Sequence, residues 1–377
     1  MPERPRQPRP GAVPASPDDD AARPRPGAPA PRRAGHPAAT PVTAPRPAWA
    51  AEGEEFTVDL DPGRFLCVRA DGPADGNPLV LLTGLGFDLH TWPPALVRVL
   101  AGRGHRVLRF DNRDVGRSFR VATPTPTVRQ LLGGDLPAEQ YTVEDMAGDV
   151  AAALDVLGVQ RSDVLGFSLG GMIAQSLAAH HPHLVQRLVS LCSTTGDPTA
   201  GGAAASTAAM LALPGARTRR TYVRSRLVMA RHLAGTGFPV DLDHERELAR
   251  THWDRSLDPR QEGAALRRQI GAIRASGNRG EALARITAPT LVLHGDRDRI
   301  VRPDGGPATA RAIPGACFVR VPGMGHQVHP LLVPRLARLV SEHLAPVIEP
   351  RRHGHHAAPL GAGTRDTKDT TTLSERG

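Results

Sequence analysis

No stretch of about 18 apolar residues occurs in the 377-residue chain, so no membrane-spanning helix is expected. The N-terminus has no apolar run of the kind that forms the core of a secretory signal. Arg32-Arg33 is similar to a twin-arginine signal, but Pro-broken polar sequence follows it. Cysteine is scarce. The three present, Cys67, Cys192 and Cys317, are odd in number and fit no metal or redox spacing. Each stands in or beside an apolar run, which predicts buried free thiols in a reducing compartment and a cytoplasmic location. Lysine is nearly absent: Lys368 stands alone and every other basic residue is arginine, as GC-rich coding would give. No G-x-x-x-x-G-K-[ST] phosphate cradle exists. The clusters His180-His181-Pro182-His183 and His353-Gly354-His355-His356 lack a carboxylate or cysteine partner, so they read as solvated surface and no metal is expected.

A formal net charge of +9 raises the question of nucleic acid. Residues 1–50 hold eight Arg against four acids, and residues 350–377 hold five basic residues against three acids. About +3 is left for the body, too little for a binding stripe, so no nucleic-acid partner is expected. Residues 1–50 also contain fourteen of the 37 prolines and few large apolar side chains. Such a segment buries too little surface to offset its ordering entropy, and residues 350–377 are alike, so both tails are expected to be disordered.

Between the tails, strand-like and helix-like runs alternate. Strands are expected over 56–60, 65–69, 79–83, 106–111, 162–167, 187–192, 290–294 and 317–321. Several are short continuous apolar runs, as strands covered on both faces should be. Helices are expected over 93–101, 143–157, 169–180, 306–313 and 333–343. This rhythm predicts an α/β fold with a mostly parallel eight-stranded sheet and helices on both faces. One region breaks it: from about 197 to 285 there is no convincing strand, while 221–233, 245–255 and 259–275 have helical spacing. The expected organisation is a core over 51–196 and 286–349 with a helical cap over 197–285, above the carboxyl ends of the strands where ligands bind in such sheets.

Gly166-Phe167-Ser168-Leu169-Gly170 follows the apolar run Asp163-Val164-Leu165 and opens a helical stretch. The bare G-x-S-x-G match also describes an ordinary turn with serine as helix N-cap. Its setting favours more. Glycines at 166, 170 and 171 permit a strained turn that exposes Ser168, and the helix N-terminus beyond it favours developing negative charge. A nucleophilic serine needs a base and an acid that orients the base. His326 ends the glycine-rich loop Pro322-Gly323-Met324-Gly325-His326 directly after a strand, and is preferred over His329, which precedes Pro330 and starts the last helix. Asp298, four residues past a strand end, can turn back toward the histidine. Asp296 is closer to the strand and better suited to stabilising the turn. An oxyanion hole needs two backbone donors, and the N–H groups of Leu169 and of Leu85, in Thr83-Gly84-Leu85-Gly86, are the candidates.

These segments, together with Asp111-Asn112-Arg113-Asp114-Val115-Gly116-Arg117-Ser118, resemble the α/β-hydrolase superfamily over about residues 54–348. Within it, residues 110–118 and 322–326 are similar to aclacinomycin methylesterase-type hydrolases of polyketide metabolism. Thr83 stands where many members have histidine, which backbone donors do not require. Asp111, Arg113 and Asp114 read as an ion-pair network beneath the site. The resemblance implies a cofactor-free serine hydrolase acting on a small-molecule carboxylic ester. A haloperoxidase or perhydrolase with the same triad, or a ligand-binding member without catalysis, are the alternatives. Met210, Leu211, Leu227, Met229 and Trp253 are candidates to line the pocket. Nothing in the sequence sets an oligomeric state.

Overall fold

The computed structural model describes residues 53–345. The tails expected over 1–50 and 350–377 lie outside the described residues. Eight strands form one sheet: β1 Glu55–Asp61, β2 Arg64–Asp71, β3 Asn77–Leu82, β4 His105–Phe110, β5 Ser162–Phe167, β6 Val185–Leu191, β7 Thr290–Gly295 and β8 Cys317–Val321. Their spatial order is β1-β2-β4-β3-β5-β6-β7-β8. β1 and β2 run antiparallel to their neighbours, and all pairs from β4–β3 onward are parallel.

Eleven helices occur among the described residues: α1 Pro94–Ala101, α2 Val128–Gly133, α3 Val143–Val156, α4 Leu169–His180, α5 Ala205–Leu211, α6 Arg219–Leu233, α7 Leu242–Arg255, α8 Glu262–Ser276, α9 Gly280–Leu283, α10 Gly305–Ala312 and α11 Val333–Leu344. The period-2 geometry of the central strands sorts their side chains into two cores. Val80 and Leu82 of β3 meet Met146 and Leu154 of α3 and Ile173 and Leu177 of α4 on one face. Leu79 and Leu81 meet Leu96 and Leu100 of α1 and Leu336 and Val340 of α11 on the other. All eight strands lie within two residues of their expected limits. Helices α2, α5 and α9 were not foreseen. The Thr127–Gln130 capping box that starts α2 was visible in the sequence.

Cys67 and Cys192 are buried free thiols, but Cys317 is exposed, a correction to the reading that all three are covered. It opens β8, the last strand of the sheet, where no further strand covers the edge. No helix among the described residues is long and apolar enough to cross a membrane.

The residues between β6 and β7 hold α5 to α9 and no strand. Two buried ion-pair groups tie this helical segment to the sheet. Arg255, at the end of α7, reaches Asp88 at 2.6 Å, Glu55 at 2.7 Å and Asp111 at 3.1 Å. His252 adds a 2.9 Å contact to Asp88. Burial by itself would raise the Glu55 pKa, but hydrogen bonds from His90 and Arg255 outweigh it and hold the carboxyl well below its usual range. Asp111, more deeply buried and close to Asp88, is pushed the other way. On α8, Arg268 grips Asp114 through Nε at 2.9 Å and Nη2 at 2.5 Å, and the Tyr141 hydroxyl donates to the same carboxylate at 2.9 Å. Arg113 turns away to Asp149 on α3 at 2.5 Å.

Removing one partner from such a cluster leaves uncompensated buried charge. Arg255→Met is therefore expected to cost about 3–5 kcal/mol, read as a lower midpoint in chemical denaturation at neutral pH. A midpoint equal to wild type would show that the three carboxylates do not depend on the guanidinium.

Candidate active site

β5 ends at Phe167 and α4 begins at Leu169, so Ser168 alone reverses the chain. It does so at φ 57°, a region that residues with a side chain rarely adopt. The turn closes because its neighbours carry no Cβ. A Cβ on Gly166 would stand 2.1 Å from the Gly170 carbonyl oxygen, and one on Gly170 would stand 2.1 Å from that of Leu82. At Gly171 it would meet the Ser193 Cβ at 2.6 Å. Hydrogen bonds hold the strained residue: its N–H donates to the Leu191 carbonyl at 2.8 Å, and the Ser193 hydroxyl donates to its carbonyl at 2.9 Å.

The loop after β8 brings His326 to this turn, with Nε2 2.8 Å from Ser168 Oγ. The loop after β7 brings Asp298 to the other side of the ring, with Oδ2 2.6 Å from Nδ1. All three side chains are buried. Asp298 is fixed in turn, since its Oδ1 accepts the N–H groups of Ile300 and Val301, each at 2.9 Å. Asp296 takes the Gly323 N–H at 2.7 Å and so ties the two loops together. His329 accepts the Leu331 N–H at 3.1 Å and caps the turn that leads into α11. The structure thus unites Ser168, His326 and Asp298 and leaves Asp296 and His329 in supporting positions. Among the described residues, no hydrogen bond uses the N–H of Leu85 or of Leu169.

Three further residues bear on the site. His294, near the end of β7, donates its Nε2–H to the Val301 carbonyl, 2.9 Å away, and lies 3.6 Å from Asp298. Burial lowers its pKa and favours the neutral ring. A histidine inside an otherwise apolar strand was the signal that could have marked it. Gln269 on α8 is fully buried. Its Oε1 accepts the Gly86 N–H and its Nε2 donates to the Arg113 carbonyl, both at 2.9 Å, so the helical segment holds the loop that carries Leu85. No local pattern announces that role. Cys192 lies with Asp298 and His326 so that their ligand atoms fall within 4.8 Å of one another. That trio is poorly suited to a metal: both His326 nitrogens are engaged, and burial, aided by Asp298, pushes the Cys192 thiol well above its usual range.

Ser168 and His326 open onto a cavity of about 370 Å³ lined mostly by apolar side chains. Leu85, Gly86 and Phe87 line it from the sheet side, with Ile300 from the loop after β7, and α5, α6, α8 and the segment joining α5 to α6 supply most of the rest. Met210, Leu211 and Met229 line it as expected, but Leu227 and Trp253 do not. Leu227 falls between the cavity-facing positions of α6, while the Trp253 ring sits 5.4 Å from Tyr222.

The α/β hydrolase fold model matches residues 77–331. The chain belongs to the α/β hydrolase fold family and is a hydrolase of that fold. Rhodomycin D methylesterase DauP of Streptomyces sp. (strain C5) is 31% identical over 283 residues, covering 69% of this chain and 88% of the relative. A putative non-heme bromoperoxidase, BpoC of Mycobacterium tuberculosis, is 26% identical over 271 residues, covering 68% of this chain and 89% of its own length. Among solved structures, a hydrolase from Pseudomonas aeruginosa superposes with a TM-score of 0.57 at 26% identity, over 78% of this chain and 99% of that one.

The glycine contacts separate two substitutions. Gly170→Ala forces a Cβ into backbone and is expected to cost about 3 kcal/mol or more, measured by thermal unfolding. Gly84→Ala places its Cβ 3.1 Å from the Ser168 Cβ, a contact that a few tenths of an ångström would relieve, so its loss is expected to be clearly smaller than that of Gly170→Ala. Equal losses in the two variants would contradict this account of the turn.

Proposed function

We propose that this hydrolase cleaves a small-molecule carboxylic ester by way of an acyl-enzyme. The observation that carries the reading is the continuous chain Asp298–His326–Ser168, with contacts of 2.6 and 2.8 Å, opening on an apolar cavity beside two uncommitted amides. Ser168 Oγ attacks the ester carbonyl while His326 Nε2 takes its proton. Asp298 holds the tautomer with the proton on Nδ1 and stabilises the imidazolium that forms. The Leu85 and Leu169 N–H groups receive the oxyanion, where a single donor is worth about 2.7–4 kcal/mol. The imidazolium then protonates the leaving alcohol, and water, activated by the same ring, releases the acid. No step calls for a metal or an organic cofactor. The helices between β6 and β7 act as a cap over this centre; the relative named a rhodomycin D methylesterase supports a methyl ester, and the mostly apolar lining supports an apolar acid part. Serine at the elbow leaves no carboxylate there for the ester intermediates that epoxide hydrolases and haloalkane dehalogenases form.

A fluorophosphonate probe is expected to label the wild type and not Ser168→Ala. Labelling that persists in the variant would overturn the assignment of the nucleophile. In steady-state assays with p-nitrophenyl and methyl esters, His326→Ala is expected to lower kcat by about 10³-fold or more, and Asp298→Asn by a comparable factor. His329→Ala and Asp296→Asn should change it far less. The same assays with hydrogen peroxide and bromide test the oxidative chemistry suggested by the bromoperoxidase-named relative. Halogenation faster than ester cleavage would replace the esterase reading.

A further inference from the structure

The cavity lining is mostly apolar, and its charged members are Arg224, Arg226 and Glu262. Phe87, two residues beyond Leu85, carries the Arg226 guanidinium over its ring at 3.9 Å from carbon to centroid. The Arg226 side chain makes no ion pair or hydrogen bond among the described residues, and the same is true of that of Arg224, which also lines the cavity. The single acid in the lining, Glu262, is taken by Arg120 at 2.6 Å. One helical turn before Arg226, Tyr222 is buried through its ring, and its hydroxyl makes no hydrogen bond to the described residues. Tyr222 lies 6.0 Å from the guanidinium and lines the cavity as well.

The Tyr222 hydroxyl and the half-buried Arg226 guanidinium, both without a partner among the described residues, are donors a ligand in the cavity can use, and a ligand anion there meets a charge that no carboxylate among those residues pairs with. A ligand that satisfies both is favoured. Stacking on Phe87 occupies one face of the guanidinium and leaves its N–H edge free, the edge that matches a carboxylate in two-point fashion. Arg226, Tyr222 and Met229 recur at helical spacing on α6, so polar recognition and apolar lining belong to one stripe of that helix.

We propose that the ester this site takes bears a second acidic group, a free carboxylate, which Arg226 and Tyr222 bind while Ser168 meets the ester carbonyl. This rests on the esterase reading, and it adds a substrate class: a half-ester of a dicarboxylic acid, or a carboxylated aromatic ester, on an otherwise apolar frame. Arg226 and Tyr222 are specificity residues and take no part in bond making.

Binding to the Ser168→Ala protein separates this claim from the chemistry. The probes are monomethyl esters of dicarboxylic acids of increasing length, aliphatic and aromatic, each paired with an uncharged methyl ester of the same shape, measured by titration calorimetry. At least one half-ester is expected to bind 10-fold or more tighter than its neutral partner, about 1.4 kcal/mol. Arg226→Gln in the same background should bring the pair to equal affinity, Arg226→Lys should keep part of the preference, and Tyr222→Phe should lose part of it. In the Ser168-intact enzyme the preference should fall mainly on KM and shrink at high salt. No half-ester favoured over its partner, or a preference unchanged in Arg226→Gln, overturns the proposal. Neutral esters cleaved in a Ser168-dependent manner would leave the esterase reading standing in that case. Charge-selective binding without any turnover would sink the esterase reading and keep the carboxylate site.

Discussion

Ser168 sits at a positive φ because three neighbours have no side chain. The rest of the architecture follows from that closeness. With Gly170 against the Leu82 carbonyl and Gly166 against Gly170, strand β5, the end of β3 and the start of α4 meet at backbone distance. The loop carrying Leu85 leaves β3 at that junction, so the serine and the start of that loop are set by main-chain contacts and not by flexible side chains. The strain is offset by hydrogen bonds from Ser193 and to Leu191 and by the burial of α4, whose residues Leu169 to Ala179 are all covered.

A second constraint operates between the helical segment and the sheet. Arg255 and Arg268 come from the segment, while their carboxylates come from β1 and from the loops after β3 and β4. Buried charges of this kind add little net stability, but they tolerate few alternative arrangements. They fix where α7 and α8 dock, and so where α6 presents its stripe to the cavity.

Much of this was legible from local pattern. Strands, the elbow, the acid-bearing and histidine-bearing loops and the helical segment each leave a signature within about ten residues. Asp298 was separable from Asp296 by distance from the strand end, and the structure puts Asp298 on the histidine and Asp296 on Gly323. What stayed hidden depends on which distant surfaces meet. Gln269 looks like any helical glutamine until Gly86 and Arg113 are placed on either side of it. Leu227 and Trp253 were attractive as lining by composition, but helical phase and docking angle, which the sequence does not give, decide which face of α6 and α7 looks inward. Cys317 was misread because an apolar neighbourhood does not reveal that its strand is the sheet's outer edge.

The bridge formed by Gln269 bears on how this family can be recombined. A helical insertion between two strands looks like a detachable module, one that evolution or an engineer could exchange to retarget the enzyme. Here one amide of the insertion is shared between Gly86, on the loop after β3, and the backbone of Arg113. A transplanted segment would have to bring a matching hydrogen-bonding group at that point. Otherwise it would arrive with a new pocket and a loosened loop, trading catalytic order for altered selectivity.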